Sequence, residues 1–162
     1  MKPNLLIAGT LLAFSCIAAS GAPGGLSPTD QTAAFKAAGF KLKGKRWQGC
    51  DDPTPTYTAG AIQEVRDLNG DGLPEAVITE GGTYCYGNTA AGYSLVSKQP
   101  NGSWKLITNG TGIISFLNTR GSSGWPDIEI GGPGFCFPVE RWNGRQYALH
   151  RHEYEGKRCQ RK

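Results

Sequence analysis

The chain has 162 residues, 38% of them apolar, and a formal net charge of +4, which suits one folded domain and leaves too little length for two. Its one long apolar run, Leu5–Ala19, falls short of the roughly 20 residues of an ordinary membrane span, so a spanning protein is excluded.

That run reads as a targeting segment. Lys2 is the only charge before Asp30, and the small residues Ala18-Ala19-Ser20-Gly21-Ala22 follow the apolar stretch. This is the charged, apolar and small-residue order of a secretory signal, here residues 1–22, with cleavage expected between Ala18 and Ala22. Ala13-Phe14-Ser15-Cys16 makes a poor lipobox because Phe14 is bulky. The mature domain, residues 23–162, is therefore expected in the periplasm or outside the cell. It keeps Cys50, Cys85, Cys136 and Cys159, an even set that implies two disulfides with three possible connectivities. Cys50 with Cys85 and Cys136 with Cys159 is the pairing preferred here, and spacing alone does not decide it. No pair has the close spacing of a zinc site.

A Gly/Pro-rich linker, Ala22–Ser27, precedes Ser27-Pro28-Thr29-Asp30, whose capping side chains predict one short helix with Phe35 and Ala38 on one face and Gly39 as its end. Phe40–Trp47 alternates loosely and is charged, as an edge strand would be. Cys50–Tyr57 is a loop. Short Val/Ile/Tyr/Trp runs then alternate with turns: 61–66, 75–79, 93–98, 104–108, 113–117, 127–130, 135–142 and 146–153. Asn101-Gly102 and Asn143-Gly144 are hairpin signals of the kind that two-residue connections favour. With 24 glycines and strands this short, the expected class is all-β with one short N-terminal helix.

The sequence also repeats. Gly72-Leu73-Pro74-Glu75-Ala76-Val77-Ile78 stands beside Gly124-Trp125-Pro126-Asp127-Ile128-Glu129-Ile130, and Gly81-Gly82-Thr83-Tyr84-Cys85 beside Gly131-Gly132-Pro133-Gly134-Phe135-Cys136. The two halves, approximately 61–108 and 113–153, differ in spacing, as a diverged duplication would. Two copies cannot close a propeller, so they should pack as neighbouring blades or form one continuous sheet.

The segment with most chemistry is Asp67-Leu68-Asn69-Gly70-Asp71-Gly72-Leu73-Pro74-Glu75, with oxygen side chains at positions 1, 3, 5 and 9. Gly70 and Gly72 permit the tight curl that turns these side chains inward, and Leu73 can offer its carbonyl. A hard cation with six to eight oxygens at ~2.3–2.6 Å suits this set, and the absence of sulfur and nitrogen argues against zinc or copper. Magnesium demands a stricter octahedron, so calcium is the expected ion. An EF-hand would need a glutamate at position 12, where Ile78 stands, and helices on both sides.

The form D-x-N-x-D-G-x-x-E followed by an apolar strand resembles the calcium loops of FG-GAP and VCBS repeat proteins. The resemblance covers Asp67–Ile78 well and Thr119–Ile130 in outline. It implies Asp67, Asn69, Asp71, Leu73 through its carbonyl, and Glu75 as ligands of a mainly structural Ca²⁺ within a propeller-like blade. In the second copy Thr119, Gly121 and Ser123 stand where ligands should be and only Asp127 remains, so no ion is expected there. Three carboxylates in an extracellular setting suggest a Kd on the order of 10⁻⁵–10⁻³ M.

Catalytic signatures are thin. His150 and His152 are the only histidines, and there is neither G-x-S-x-G nor H-E-x-x-H. Asp51 and Asp52 are adjacent and would face opposite ways in an extended chain. Tyr84, Tyr86, Tyr93, Trp125, Phe135 and Phe137 lie around the two glycine loops, where rigid aromatics serve as interface anchors. From Arg141 onward the bases Arg141, Arg145, Arg151, Lys157, Arg158, Arg161 and Lys162 face only Glu153 and Glu155, a basic face able to meet an acidic partner, and export excludes nucleic acid. The expected function is a non-enzymatic calcium-stabilised binding domain with a protein or cell-envelope partner. The alternatives are an inhibitor of a lysozyme-like cell-wall hydrolase and a calcium-dependent hydrolase.

Overall fold

The computed structural model describes residues 25–160, so the expected signal segment and its cleavage site lie outside the described residues. Helix α1 spans Pro28–Ala37. Its cap is Ser27, whose hydroxyl accepts from the Asp30 amide at 3.1 Å, and Gly39 at φ +85° ends the run. Asp30 also ties the helix to the sheet beneath it, accepting from Trp104 Nε1 at 3.0 Å and from Lys98 Nζ at 3.1 Å.

The stretch after the helix is two short strands, β1 (Lys41–Lys43) and β2 (Arg46–Gln48), where alternation suggests one edge strand. Gly44, at φ +61°, turns the chain between them. Strands β3 (Thr58–Arg66), β4 (Glu75–Gly81), β5 (Ala91–Lys98) and β6 (Trp104–Thr111) then pair antiparallel in chain order and complete a six-stranded sheet. After Gly112, strands β7 (Ile113–Arg120), β8 (Pro126–Gly131), β9 (Phe137–Trp142) and β10 (Tyr147–Tyr154) repeat that up-and-down order, and β11 (Lys157–Arg158) ends a five-stranded sheet. The protein is all-β with a short N-terminal helix, built as two curled antiparallel sheets.

Three local expectations are corrected. The glycine turn at Thr83–Tyr86 is a single helical turn, α2. Phe135 belongs to a loop, because Gly134 and Cys136 both take positive φ and delay the strand to Phe137. The Asn-Gly pairs sit in connections longer than two residues, Gln99–Ser103 and Asn143–Gln146, where Asn101 and Asn143 accept from backbone amides two and three residues on.

Alternation along β4 explains how the layers stack. Ala76 and Ile78 pack under α1 with Phe35, Phe40, Val96 and Trp104. Val77, on the opposite face, packs with Leu68, Leu95, Trp125, Ile128, Trp142 and Tyr147 between the two sheets. The first sheet is thus covered on both faces, and β4 is buried along almost its whole length. The second sheet has one apolar face; opposite Ile128 and Trp142 stand Asp127 and Arg141. Two sets of four strands suffice without closing a ring because α1 covers one outer face and charged side chains occupy the other.

Beneath α1 the contact between Gly60 and the buried rings is close. A Cβ at Gly60 would come within 2.4 Å of the buried Phe40 ring and 3.2 Å of Phe35. Gly60→Ala should therefore cost about 1–3 kcal/mol through overpacking, read as a lower urea midpoint with an unchanged slope. A cost below ~0.5 kcal/mol would mean that Phe40 moves aside freely.

Up-and-down order sends alternate connections to opposite ends. At one end lie residues 67–74 and 121–125, in contact where a Cβ on Gly124 would meet the Asn69 carbonyl at 2.3 Å. At the other end lie 82–90, Gly112, 132–136 and 155–156, with Gly132 against Thr89. Both disulfides, Cys50–Cys85 and Cys136–Cys159, brace this second end, and of the three connectivities this is the one formed.

Candidate metal centre

The loop between β3 and β4 curls through its own side chains. Asp67 accepts from the Gly70 amide at 2.7 Å through Oδ1 and from the Gly72 amide at 2.9 Å through Oδ2. Asn69 Oδ1 accepts from the Asp71 amide and Asp71 Oδ1 from the Leu73 amide, both at 2.8 Å. Gly70 and Gly72 take φ of +83° and +84°, which any Cβ would strain. Asp67 and Asp71 stay exposed, while Asn69 and Leu73 are half-buried.

Glu75, the first residue of β4, is buried at the base of this loop. Its Oε2 accepts from the Leu68 amide at 2.7 Å and its Oε1 from the Ser97 hydroxyl at 2.8 Å. Burial pushes its carboxyl above the usual range; these two hydrogen bonds work against the shift, and the charges of Asp71 and Asp67 add to it. The structure thus brings Asp67, Asn69, Asp71, Leu73 and Glu75 into one turn. No ion pair with Asp67, Asp71 or Glu75 occurs among the described residues. The same residues contain no cluster of three or more His, Cys, Asp or Glu side chains close enough to hold a metal by themselves. The donor set suits a hard cation in kind: carboxylate, amide and backbone oxygens, each with lone pairs left over.

The corresponding loop of the second sheet solves the same charge problem differently. Asp127 is completely buried and accepts from Arg141 Nε and Nη2, each at 2.8 Å, from Arg151 Nη1 at 2.8 Å, and from the Thr119 hydroxyl. Burial opposes its charge, but these hydrogen bonds outweigh it and hold the carboxyl well below the ordinary range. Arg151 also pairs with Glu153. Two guanidiniums thus balance the one carboxylate that this loop keeps. The loops are linked as well: Arg120 donates to the Leu68 carbonyl at 2.9 Å and to the Gly124 carbonyl.

Other polar groups lie apart. Glu80 is buried and accepts from the Gly49 amide at 3.0 Å and from the hydroxyls of Tyr57 and Tyr86. Burial, then Glu80 itself, pushes both tyrosine hydroxyls up. Asp51 pairs with Lys43, and Asp52 accepts from the Thr54 amide through Oδ1 while Oδ2 lies against Gly82. His150 and His152 line an open groove of about 660 Å³ with Arg151, Arg158, Cys159 and Gln160. Of the aromatics expected around the glycine loops, Trp125 and Tyr93 are buried between the sheets, and Tyr86 is turned inward to Glu80.

Glu140 points between the sheets, on the face of β9 that pairs with Ile128, as Glu75 does on the face of β4 shared with Val77. Desolvation alone pushes its carboxyl up, and it helps burial raise the Tyr93 hydroxyl to about 12. A carboxylate with a raised folded value costs stability as pH climbs from its unfolded value near ~4.3 through the folded one. Glu140→Gln should therefore stabilise at neutral pH by roughly 1 kcal/mol or less, with the gain vanishing below about pH 4 in a pH series of urea midpoints. A loss at pH 7 would contradict this.

Sequence reasoning missed Glu80 and Ser97, and it placed Arg141 and Arg151 on a free basic face where the structure pairs both with Asp127. For the arginines a signal existed: Asp127 survives in a loop stripped of other ligands, and a buried carboxylate needs a compensating cation. No protein-family profile, no curated protein and no solved structure matches this chain.

Proposed function

We propose that this is an exported binding domain, stabilised by one calcium ion in the loop Asp67–Glu75, with no catalytic role. The observation that carries the calcium reading is the loop itself. Three carboxylates, one of them buried and pushed toward neutrality, share a single turn with no ion pair to a basic side chain among the described residues, whereas the counterpart Asp127 has two arginines. Asp67, Asn69, Asp71, the Leu73 carbonyl and Glu75 would hold the ion, which would supply charge neutralisation and a cross-link between β3 and β4. Export is supported by the two disulfides, which persist in oxidising compartments.

Binding is favoured over catalysis by how the buried polar groups are used. Glu80 and Asp127 are each engaged by three or more structural donors, and Glu75 accepts from Leu68 and Ser97. Among the described residues no side-chain hydrogen bond joins a serine, threonine or cysteine to a histidine, the geometry that nucleophilic catalysis would require. The test is the thermal midpoint of the mature protein in calcium and in EDTA beside Asp71→Ala. A calcium-dependent rise that Asp71→Ala abolishes supports the reading; equal midpoints for both proteins in both solutions overturn it.

A further inference from the structure

From the clustering of exposed apolar side chains at the disulfide-braced end, we infer that this end is a membrane-surface contact, shallowly inserted in the headgroup region of an anionic lipid bilayer. Four side chains there are far more exposed than apolar groups usually are: Phe135 at 74%, Tyr84 at 67%, Ile113 at 60% and Tyr154 at 43%. Tyr84 and Phe135 lie in the 82–90 and 132–136 connections, Ile113 opens β7 and Tyr154 closes β10, so they come from both halves of the chain at one end. Thr89 against Gly132, and Gly112 against Ile130 and Gly131, join these tips into one surface.

The tips are braced. Tyr84 directly precedes Cys85 and Phe135 directly precedes Cys136, so each exposed ring stands beside a disulfide. The first loop is further held by the Tyr86 hydroxyl on Glu80, and the second by Cys136, which is buried. Little conformational freedom is then lost on contact, which is what makes so few apolar side chains useful.

Geometry and charge choose the occupant. Phe135 and Phe137 lean on Tyr154 with ring planes at 76° and 52°, so they present no flat strip on which sugar rings could stack. Apolar tips spread over the ends of two sheets and separated along the chain are ones a deformable interface can meet together. Tyrosine with phenylalanine and isoleucine is the composition found at the headgroup level of bilayers. Lys157 and Arg158 are exposed on β11 beside Tyr154, Arg161 and Lys162 follow in sequence, and Glu155 is the acid in that turn, since Asp51 is engaged by Lys43. The balance favours anionic lipid.

This inference rests on the binding-domain reading and not on calcium, because the loop Asp67–Glu75 lies at the opposite end. The mature protein should sediment with vesicles of equal parts phosphatidylglycerol and phosphatidylethanolamine, and much less with phosphatidylcholine alone. Phe135→Ser with Tyr84→Ser should lower the partition coefficient about tenfold or more. Lys157→Glu with Arg158→Glu should do the same and weaken its salt dependence. Leu149→Ser, in the middle of β10, should bind as the parent does, and EDTA well below the thermal midpoint should leave binding intact. No sedimentation with anionic vesicles overturns the proposal, as does binding that the Phe135/Tyr84 change leaves untouched. A concentration-dependent dimer abolished by that change would assign the surface to a second copy of this chain, and so also overturn it. Loss of binding in EDTA together with loss of fold would instead report on the calcium.

Discussion

Replacing Asp127 by alanine should cost about 3–5 kcal/mol, because it removes the buried carboxylate that two guanidiniums share. Arg141 is partly solvated, while Arg151 has little exposure but keeps Glu153, so the penalty should be divided between the two contacts. Asp127→Asn should also be costly, since the amide cannot accept the bidentate Arg141 contact and Arg151 together. Pairing Asp127→Ala with Arg151→Met should cost clearly less than the two single changes summed, as removing a buried charge with its partner is far cheaper than orphaning it. The pH dependence has a definite sign. A carboxylate held low in the folded state contributes its stability in full above its unfolded value of about 3.9, and loses it only as pH falls below that. The Asp127→Ala penalty should therefore be constant from pH 5 upward, at about its full size, and shrink in strong acid. A penalty under ~1 kcal/mol at pH 7 would show that solvent compensates the arginines and that the network is ornamental to stability.

The second large effect is calcium itself. At about 100 times Kd, an ion that binds only the folded state adds ~2.7 kcal/mol, or about 10 °C of thermal midpoint for a domain of this size. Glu75 makes the effect diagnostic, because its burial is unfavourable without a cation and favourable with one. In EDTA, Glu75→Gln should raise the midpoint or leave it unchanged, since it removes a desolvated charge beside Asp67 and Asp71 while the amide oxygen can still accept from Leu68 and its NH2 can donate to the Ser97 hydroxyl oxygen. In calcium the same substitution should lose most of the stabilisation. The parent in EDTA should also weaken as pH rises from about 4.3 through the raised folded value of Glu75. A Glu75→Gln protein that responds to calcium as the parent does would remove Glu75 from the ligand set.

Much of the fold is legible in the sequence because its signals are local. Ser27 caps the helix and Gly39 ends it through properties of single residues, and period-two runs bounded by glycine place eight strands to within a few positions. Asp67, Asn69, Asp71 and Glu75 fall in one turn because a nine-residue spacing and two glycines already dictate the curl. Local pattern fails where a residue's state is set by something distant. Tyr93 and Trp125 look like loop anchors in sequence, yet both are buried, Trp125 against Leu68, Val77 and Leu95 of the first half, and Phe135 leaves the strand where Gly134 and Cys136 take positive φ.

The sequence by itself determined an all-β chain with a capped helix, four pairing cysteines and one acidic, glycine-framed loop, since capping, alternation and turn chemistry act over a few residues. Only the tertiary structure decided the rest: which cysteines meet, that α1 and a charged face close the two-sheet stack, that Arg141 and Arg151 neutralise Asp127, and that Tyr84 and Phe135 stand at the same end. Each of these depends on which strands become neighbours, and strand pairing is settled by burial summed over the whole domain, a quantity that no short stretch of sequence contains.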